Sequence, residues 1–233
     1  MLNIRKLLVL LCCINSNILN AQNKDVTLRP VIGINMSSIK GDFIGIGNNS
    51  LNSHFKIGYS LGFEIQKKMS NVFYGIVGLH YSLNGSKYSD YSNSSENMKW
   101  EVYDFYTNLH YMHLPILIKV DLFHSNFSAQ MGIQVGWLFK ATSHNGNRIF
   151  IKDDTKWIYD SESSGKAVTN VSFLYNKIDF GIPFRLSYEY KKGVFTLGYY
   201  MGLANIYKNS SNRIYNNSFS LSYGYNLSLI HIS

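Results

Sequence analysis

The sequence predicts an all-β chain, an eight-stranded antiparallel up-and-down transmembrane β-barrel, on three observations. Eight segments alternate apolar and polar residues with a period of two, and the connections between them alternate short and long. Ahead of them stands an apolar stretch with the parts of an export signal. Aromatic residues make up 15% and charged residues 15% of the chain, against roughly 25% charged in an ordinary soluble domain, so part of the surface is expected not to face water.

The first element is the signal. Arg5 and Lys6 precede an apolar run from Leu7 to Ile14, and a polar stretch then leads to Ala21 and Gln22. A positive start, an apolar run too short to span a bilayer and a small residue at the cleavage point define a signal peptide. Residues 1–21 are expected to be removed, leaving residues 22–233 as one outer-membrane β-barrel domain. The only cysteines, Cys12 and Cys13, leave with the signal, so the mature chain has no disulfide and no thiolate metal site. The formal charge of +8 becomes +6 without Arg5 and Lys6. Scattered basic residues on an exported chain give no nucleic-acid partner. No apolar run of ~20 residues follows Gln22, which excludes a membrane-spanning helix.

The eight strand segments then follow in order: residues 28–36, 55–65, 73–83, 105–120, 127–137, 178–188, 195–203 and 219–227. In the second, from Phe55 to Ile65, every odd position is apolar and every even one polar or glycine, as a strand between two environments requires. The fifth and sixth have the same clean alternation. Each is about as long as the ~9–11 residues a tilted strand needs to cross a bilayer. The polar face is rich in small residues, among them Gly58, Ser60, Gly62, Ser128, Gly132 and Gly136, which suits a narrow interior.

Connections at 67–72, 121–126 and 191–193 are short, whereas 37–54, 84–104, 140–177 and 204–218 are long and polar. Outer-membrane barrels have this asymmetry, with tight periplasmic turns and longer external loops, and an even strand number puts both termini in the periplasm. Phe73, Phe127, Tyr188, Phe195 and Tyr225 would sit near the turn side, and Phe55, Tyr81, Phe105, Trp137, Phe139 and Phe219 near the loop side. Pro30, Pro115 and Pro183 fall in or beside strands, where a missing N–H predicts bulges, with the register least certain around Pro115.

Two motifs resemble the PorT-like outer-membrane β-barrel family. The run LHYMHLPILIK from Leu109 to Lys119 is similar to a family strand of the form L-x-Y-L-x-I-P-x-x-x-K, and GYYMGLANI from Gly198 to Ile206 resembles Y-x-x-G-L-x-N-I of the penultimate strand. The resemblance covers essentially the whole mature chain. It implies an integral outer-membrane barrel, and its namesake's role suggests a part in secretion machinery.

Candidate chemistry is thin. His80 and Ser82 lie two apart on one strand, the spacing of a His–Ser pair in lipid A deacylase barrels, where the pair faces lipid. Here the odd positions of the strand are the apolar ones, which puts His80 and Ser82 inside. The inward charges Lys56, Glu64, Lys119, Asp179, Arg185 and Glu189, with His80, are expected to form a lumen polar network, because unpaired buried charge is costly. His110 and His113, three apart on a strand, point to opposite faces and do not make a metal site. No phosphate-binding glycine loop opens a helix. Neither cofactor nor catalytic residue is expected. In the loop 140–177, Arg148, Lys152, Trp157 and Tyr159 form a candidate external binding surface.

The expected function is therefore a non-enzymatic integral outer-membrane barrel in contact with outer-membrane lipid. Long external loops would bind a partner, or the wall would dock other envelope components, a secretion apparatus among them. The alternatives are a lipid-modifying barrel such as a lipid A deacylase, and a soluble periplasmic lipocalin-like barrel with a greasy interior.

Overall fold

A strand that alternates apolar and polar side chains must give each face its own environment, and closing the sheet into a ring turns the two faces into a lumen and a wall. The computed structural model describes residues 26–41, 45–46, 49–50, 52–122, 125–208 and 213–228, so the expected signal segment lies outside the described residues. Eight long strands follow one another: β1 (Val26–Lys40), β2 (Lys56–Lys68), β3 (Phe73–Tyr88), β4 (Met98–Asp121), β5 (Phe127–Asp153), β6 (Ile178–Tyr190), β7 (Gly193–Gly202) and β8 (Tyr215–Tyr225). Each pairs antiparallel with the next and β8 pairs with β1, so the ring closes without a free edge at its waist.

The phase is the one the alternation requires. Ile32 and Leu186 are 65% and 57% exposed on the wall, whereas Glu64 and Gln130 are 3% exposed inside. A greasy outside around a polar inside is the inverse of a soluble binding barrel, which removes the lipocalin-like alternative. The wall is left to lipid, and the backbone polar groups are satisfied within the ring.

The expected bulges at the three prolines are absent. Pro115 pairs with Gln134 in unbroken register with β5, and on its other side the β3–β4 pairing resumes in the same register at His80 and His113 after a gap. Pro183 likewise leaves a gap towards β5 and none towards β7. Pro30 pairs with Phe63 of β2 without a shift. A proline deletes one donor towards one neighbour, so the ladder loses a bond on that side but needs no extra residue. The irregularities lie higher: His110 pairs with Lys140 but Tyr111 with Leu138, leaving Phe139 as an inserted residue on β5, and Tyr106 pairs with His144 but Tyr103 with Gly146, an insertion on β4. Beyond Phe139, even-numbered residues of β5 face outwards.

The long connections are less loop-like than expected. β4 and β5 are 24 and 27 residues long, and β5 continues past Trp137 by about 50 Å of strand at ~3.3 Å per residue. A further strand, Lys156–Asn170, pairs back on β5, and a short strand, Tyr91–Ser94, pairs with β4. A four-stranded sheet therefore rises from the loop end of one side of the barrel. The segment 140–177 is mostly polar and does not alternate, yet it forms a ribbon whose backbone bonds are made in register along most of its length. Asp154, at φ 51°, takes the left-handed position in its hairpin turn, one an aspartate tolerates.

The loop end of the lumen is closed by an apolar lid. Residues 171–176, including the 3-10 turn Ser172–Leu174, and 203–208 cross the mouth and are tied by Asn176 N–H to Ile206 C=O (2.8 Å) and Lys208 N–H to Leu174 C=O (2.9 Å). They bring Tyr175 and Ile206 down onto Ile39, Leu109, Leu138 and Ile214.

Candidate functional site

The lumen is where polar residues had to go, and most of those predicted from the sequence meet there. The Glu64 carboxylate lies at the centre. It accepts a hydrogen bond from Arg185 across the barrel at 2.6 Å, and has His80 Nε2 at 3.2 Å and Arg29 Nη1 at 3.6 Å. Arg29 links this group to a second one nearer the turn end. Its guanidinium donates to Gln66 (3.0 Å) and Asn226 (2.7 Å) and lies 3.7 Å from Glu189. Glu189 is paired with Lys119, which also reaches Asp121 at 3.3 Å and sits 4.7 Å over the Tyr74 ring. Three fixed cations thus face three carboxylates, and the buried charge balances.

Glycines give this cluster its space. A Cβ on Gly224 would lie 2.6 Å from Arg29 Cδ, and one on Gly78 would lie 2.9 Å from His80 Nε2.

Two residues expected in the network are elsewhere. Asp179 is fully buried nearer the loop end, where Asn216 Nδ2 donates to it at 2.9 Å and to Tyr111 Oη at 3.2 Å. No cation lies within 4.0 Å of it among the described residues. Lys56 is not lumenal: its ammonium sits 5.9 Å over Tyr106, whose alternation with Met112 and Leu114 places it on the outward face. Lys56 begins its strand, and from a strand end a four-carbon stem carries the charge out past the rim.

Arg29, Gln66, Asp121 and Asn226 were missed. Arg29 was legible, because Ile32, Ile34 and Met36 put the odd positions of β1 inside. His80 and Ser82 both point into the lumen, and a cavity of about 70 Å³ beside them, lined also by Asn35, His113 and Gln134, has room for a few waters and none for a lipid chain.

The second candidate surface is the tall sheet. Cross-strand partners share a face, and the pairs Glu101–Arg148, Lys99–Phe150, Phe150–Tyr159 and Lys152–Trp157 place Arg148, Lys152, Trp157 and Tyr159 together on the face continuous with the barrel wall. Arg148 lies 4.5 Å over Tyr103 and Lys99 5.5 Å over Phe150, with Lys99 also 2.8 Å from Glu101. The opposite face carries Met98, Trp100, Ile149, Ile151 and Ile158. Phe150, Lys99 and Tyr103 are additions to the predicted set: Phe150 shares the parity of Arg148 and Lys152, and Lys99 and Tyr103 lie on β4 opposite Phe150 and Gly146.

A closed ring with an apolar wall and a lumen full of paired charge defines an integral outer-membrane β-barrel. The chain belongs to the family described as outer membrane protein beta-barrel domain, whose model matches residues 20–208. No curated protein matches it. Among solved structures it is similar to Ail, the attachment invasion locus protein of Yersinia pestis, at 12% identity over 87% of this chain and 99% of that one, with a TM-score of 0.41. It is also similar to Neisserial surface protein A, at 11% identity over 86% and 97% of the two chains (TM-score 0.39). A third is the N-terminal β-barrel domain of Pseudomonas aeruginosa OprF, at 11% identity over 84% and 97% (TM-score 0.30).

Proposed function

We propose that the protein is a non-enzymatic outer-membrane barrel that displays the tall sheet outside the cell as a binding surface. The observation that carries this is the division of structure. The lumen is filled by an ion-pair cluster and lidded, while a sheet of about 50 Å of additional strand presents Arg148, Lys152, Trp157 and Tyr159 on one uncovered face. Exposed aromatics beside cations form the hot-spot chemistry of interfaces. The orientation follows from the short turns and long connections, with the turn end in the periplasm and residues 1–21 acting as the cleaved signal. The inward His80 and Ser82 give a lipid-modifying activity no support.

The test is adherence of cells carrying wild-type chain to arrays of glycans and matrix proteins, compared with Arg148→Ala/Lys152→Ala/Trp157→Ala/Tyr159→Ala. Loss of adherence with normal surface level is expected, and unchanged adherence to every surface tested counts against the proposal. The finer PorT-like reading draws on the motifs at 109–119, within β4, and 198–206, which runs from the end of β7 into the segment crossing the mouth. It implies docking to secretion components, and crosslinking through the wall in intact cells would retrieve them.

A further inference from the structure

The outer wall of β2 to β5 changes character in three steps towards the loop end. Lowest are exposed aliphatic residues, such as Leu61, Leu79 and Leu114. Above them is an aromatic belt in which Tyr81 stands 5.9 Å from Tyr59 and 6.0 Å from Phe139, with its hydroxyl 2.9 Å from His110 Nδ1. Immediately above the belt are two ammonium groups. Lys140 is exposed and pairs in register with His110, and Lys56 lies over Tyr106, which shares its face of β4 with His110. Tyr106 is in turn stacked on His144 at 4.6 Å and 7°, and Asn108 and Thr142 hold the imidazole at 3.3 and 3.2 Å.

Among the described residues neither Lys56 nor Lys140 has a carboxylate within 4.0 Å, whereas the neighbouring Lys87 lies 3.9 Å from Asp104. Two cations without a carboxylate partner, one of them over a flat ring, thus stand just above the aromatic belt.

We propose that this strip binds the phosphorylated sugar headgroup of an outer-leaflet glycolipid of the lipid A type. The order of the wall matches the order of such a lipid: acyl chains against the aliphatic zone, sugar faces against the belt, phosphate against Lys56 and Lys140. A phosphate oxyanion makes charge-assisted hydrogen bonds with ammonium donors, and anionic lipid adds attraction to cations near a membrane surface. A diacyl phosphate lipid could supply the anion but has no sugar to use the rings. The proposal rests on the orientation argued above, with the loop end outside. It lies on the same outward face, nearer the barrel than Trp157 and Tyr159, and uses neither of them.

The experiment uses the full mature chain in maltoside detergent, with retention of added bisphosphorylated lipid A read by native mass spectrometry. Lys56→Gln/Lys140→Gln is compared with Lys152→Gln/Lys156→Gln, which removes equal charge at the sheet tip. Loss of both contacts is expected to weaken retention by about tenfold or more, with the tip variant within about twofold of wild type. Dephosphorylated lipid A should bind as weakly as the double variant does, and millimolar inorganic phosphate should not displace the lipid. Equal loss in both variants, no loss in Lys56→Gln/Lys140→Gln, or full displacement by free phosphate would each overturn the site. The orientation is read separately, from labelling of Lys140→Cys on intact cells with a membrane-impermeant maleimide. Absent labelling overturns the orientation and with it the placement against lipid A; labelling with unchanged retention overturns the site alone.

Discussion

Glu64→Gln is the most informative single change in the lumen. The amide keeps the size of the side chain but removes the charge that faces Arg185 at 2.6 Å, His80 at 3.2 Å and Arg29 at 3.6 Å. Arg29 is 2% and Arg185 14% exposed at the side chain, so neither cation can turn to bulk water without moving the wall. Removing one partner of a buried pair costs about 3–5 kcal/mol, chiefly through the charge left behind. Arg29 retains Glu189, which places the expected loss near the lower end, about 3 kcal/mol. Arg185→Gln leaves Glu64 with Arg29 and His80 and should cost a similar amount. The double variant restores the charge balance, so it should lose less than the two singles together, by about 1–3 kcal/mol of coupling. Reversible urea unfolding in lipid vesicles, followed by tryptophan fluorescence, measures all four corners of the cycle. Single losses that add to within about 0.5 kcal/mol would refute a coupled network and reduce the lumen to independent side chains.

Further outcomes follow from close packing and from the lid. Gly132→Ala places a Cβ 2.0 Å from the Ile116 carbonyl oxygen, so the same unfolding assay should show a loss of about 1–3 kcal/mol, while Gly165→Ala, with nothing within 4 Å, should change stability by less than about 0.5 kcal/mol. Burial and the nearby Tyr207 and Tyr88 hold the Tyr175 phenol well above its ordinary value, and burial also raises Tyr207. Below pH ~10 these phenols are protonated in the folded and unfolded chain alike and contribute no pH dependence. Above it the unfolded chain releases protons that the lid keeps, so the lid should loosen as pH rises past about 10. Near-UV circular dichroism should hold steady to that point and then fall, with the fall reduced in Tyr175→Phe/Tyr207→Phe; a flat signal to pH 12 would contradict the buried lid. Planar-bilayer recordings should show no large stable conductance for the wild-type chain, since the ion-pair cluster fills its lumen.

Most of the ring was readable because a barrel strand meets the same two environments along its length. Positions such as Ile57, Tyr59 and Leu61 repeat one decision, so the phase survives an occasional exception. Pro115 and Pro183 misled for a local reason, since a lost donor interrupts one ladder without changing the count of residues. Phe139 could not be found from alternation, because Trp137, Leu138 and Phe139 are all apolar and the phase slip is hidden among them. The tall sheet was mistaken for loop because its residues are mostly polar and its one apolar run, Ile149, Phe150 and Ile151, does not alternate. Ion partners were harder still. Arg29 was assignable to the lumen by parity, but its contacts with Glu64 and Glu189 depend on the shear of the ring, which no single strand carries. Lys56 has inward parity and an outward charge, and only its position at a strand end separates the two.

The central claim is a closed barrel whose odd positions on β5 face lipid until the slip at Phe139 and whose even positions face a filled lumen. A nitroxide scan of single-cysteine variants along 127–144 in bilayers tests it most directly, with collisional broadening by oxygen as the readout. Oxygen accessibility should peak at every odd position from Phe127 to Trp137, fall at Ser128, Gln130 and Gln134, and change phase across Phe139 and Lys140. Maxima at the even positions, or a profile without a two-residue period, would contradict it.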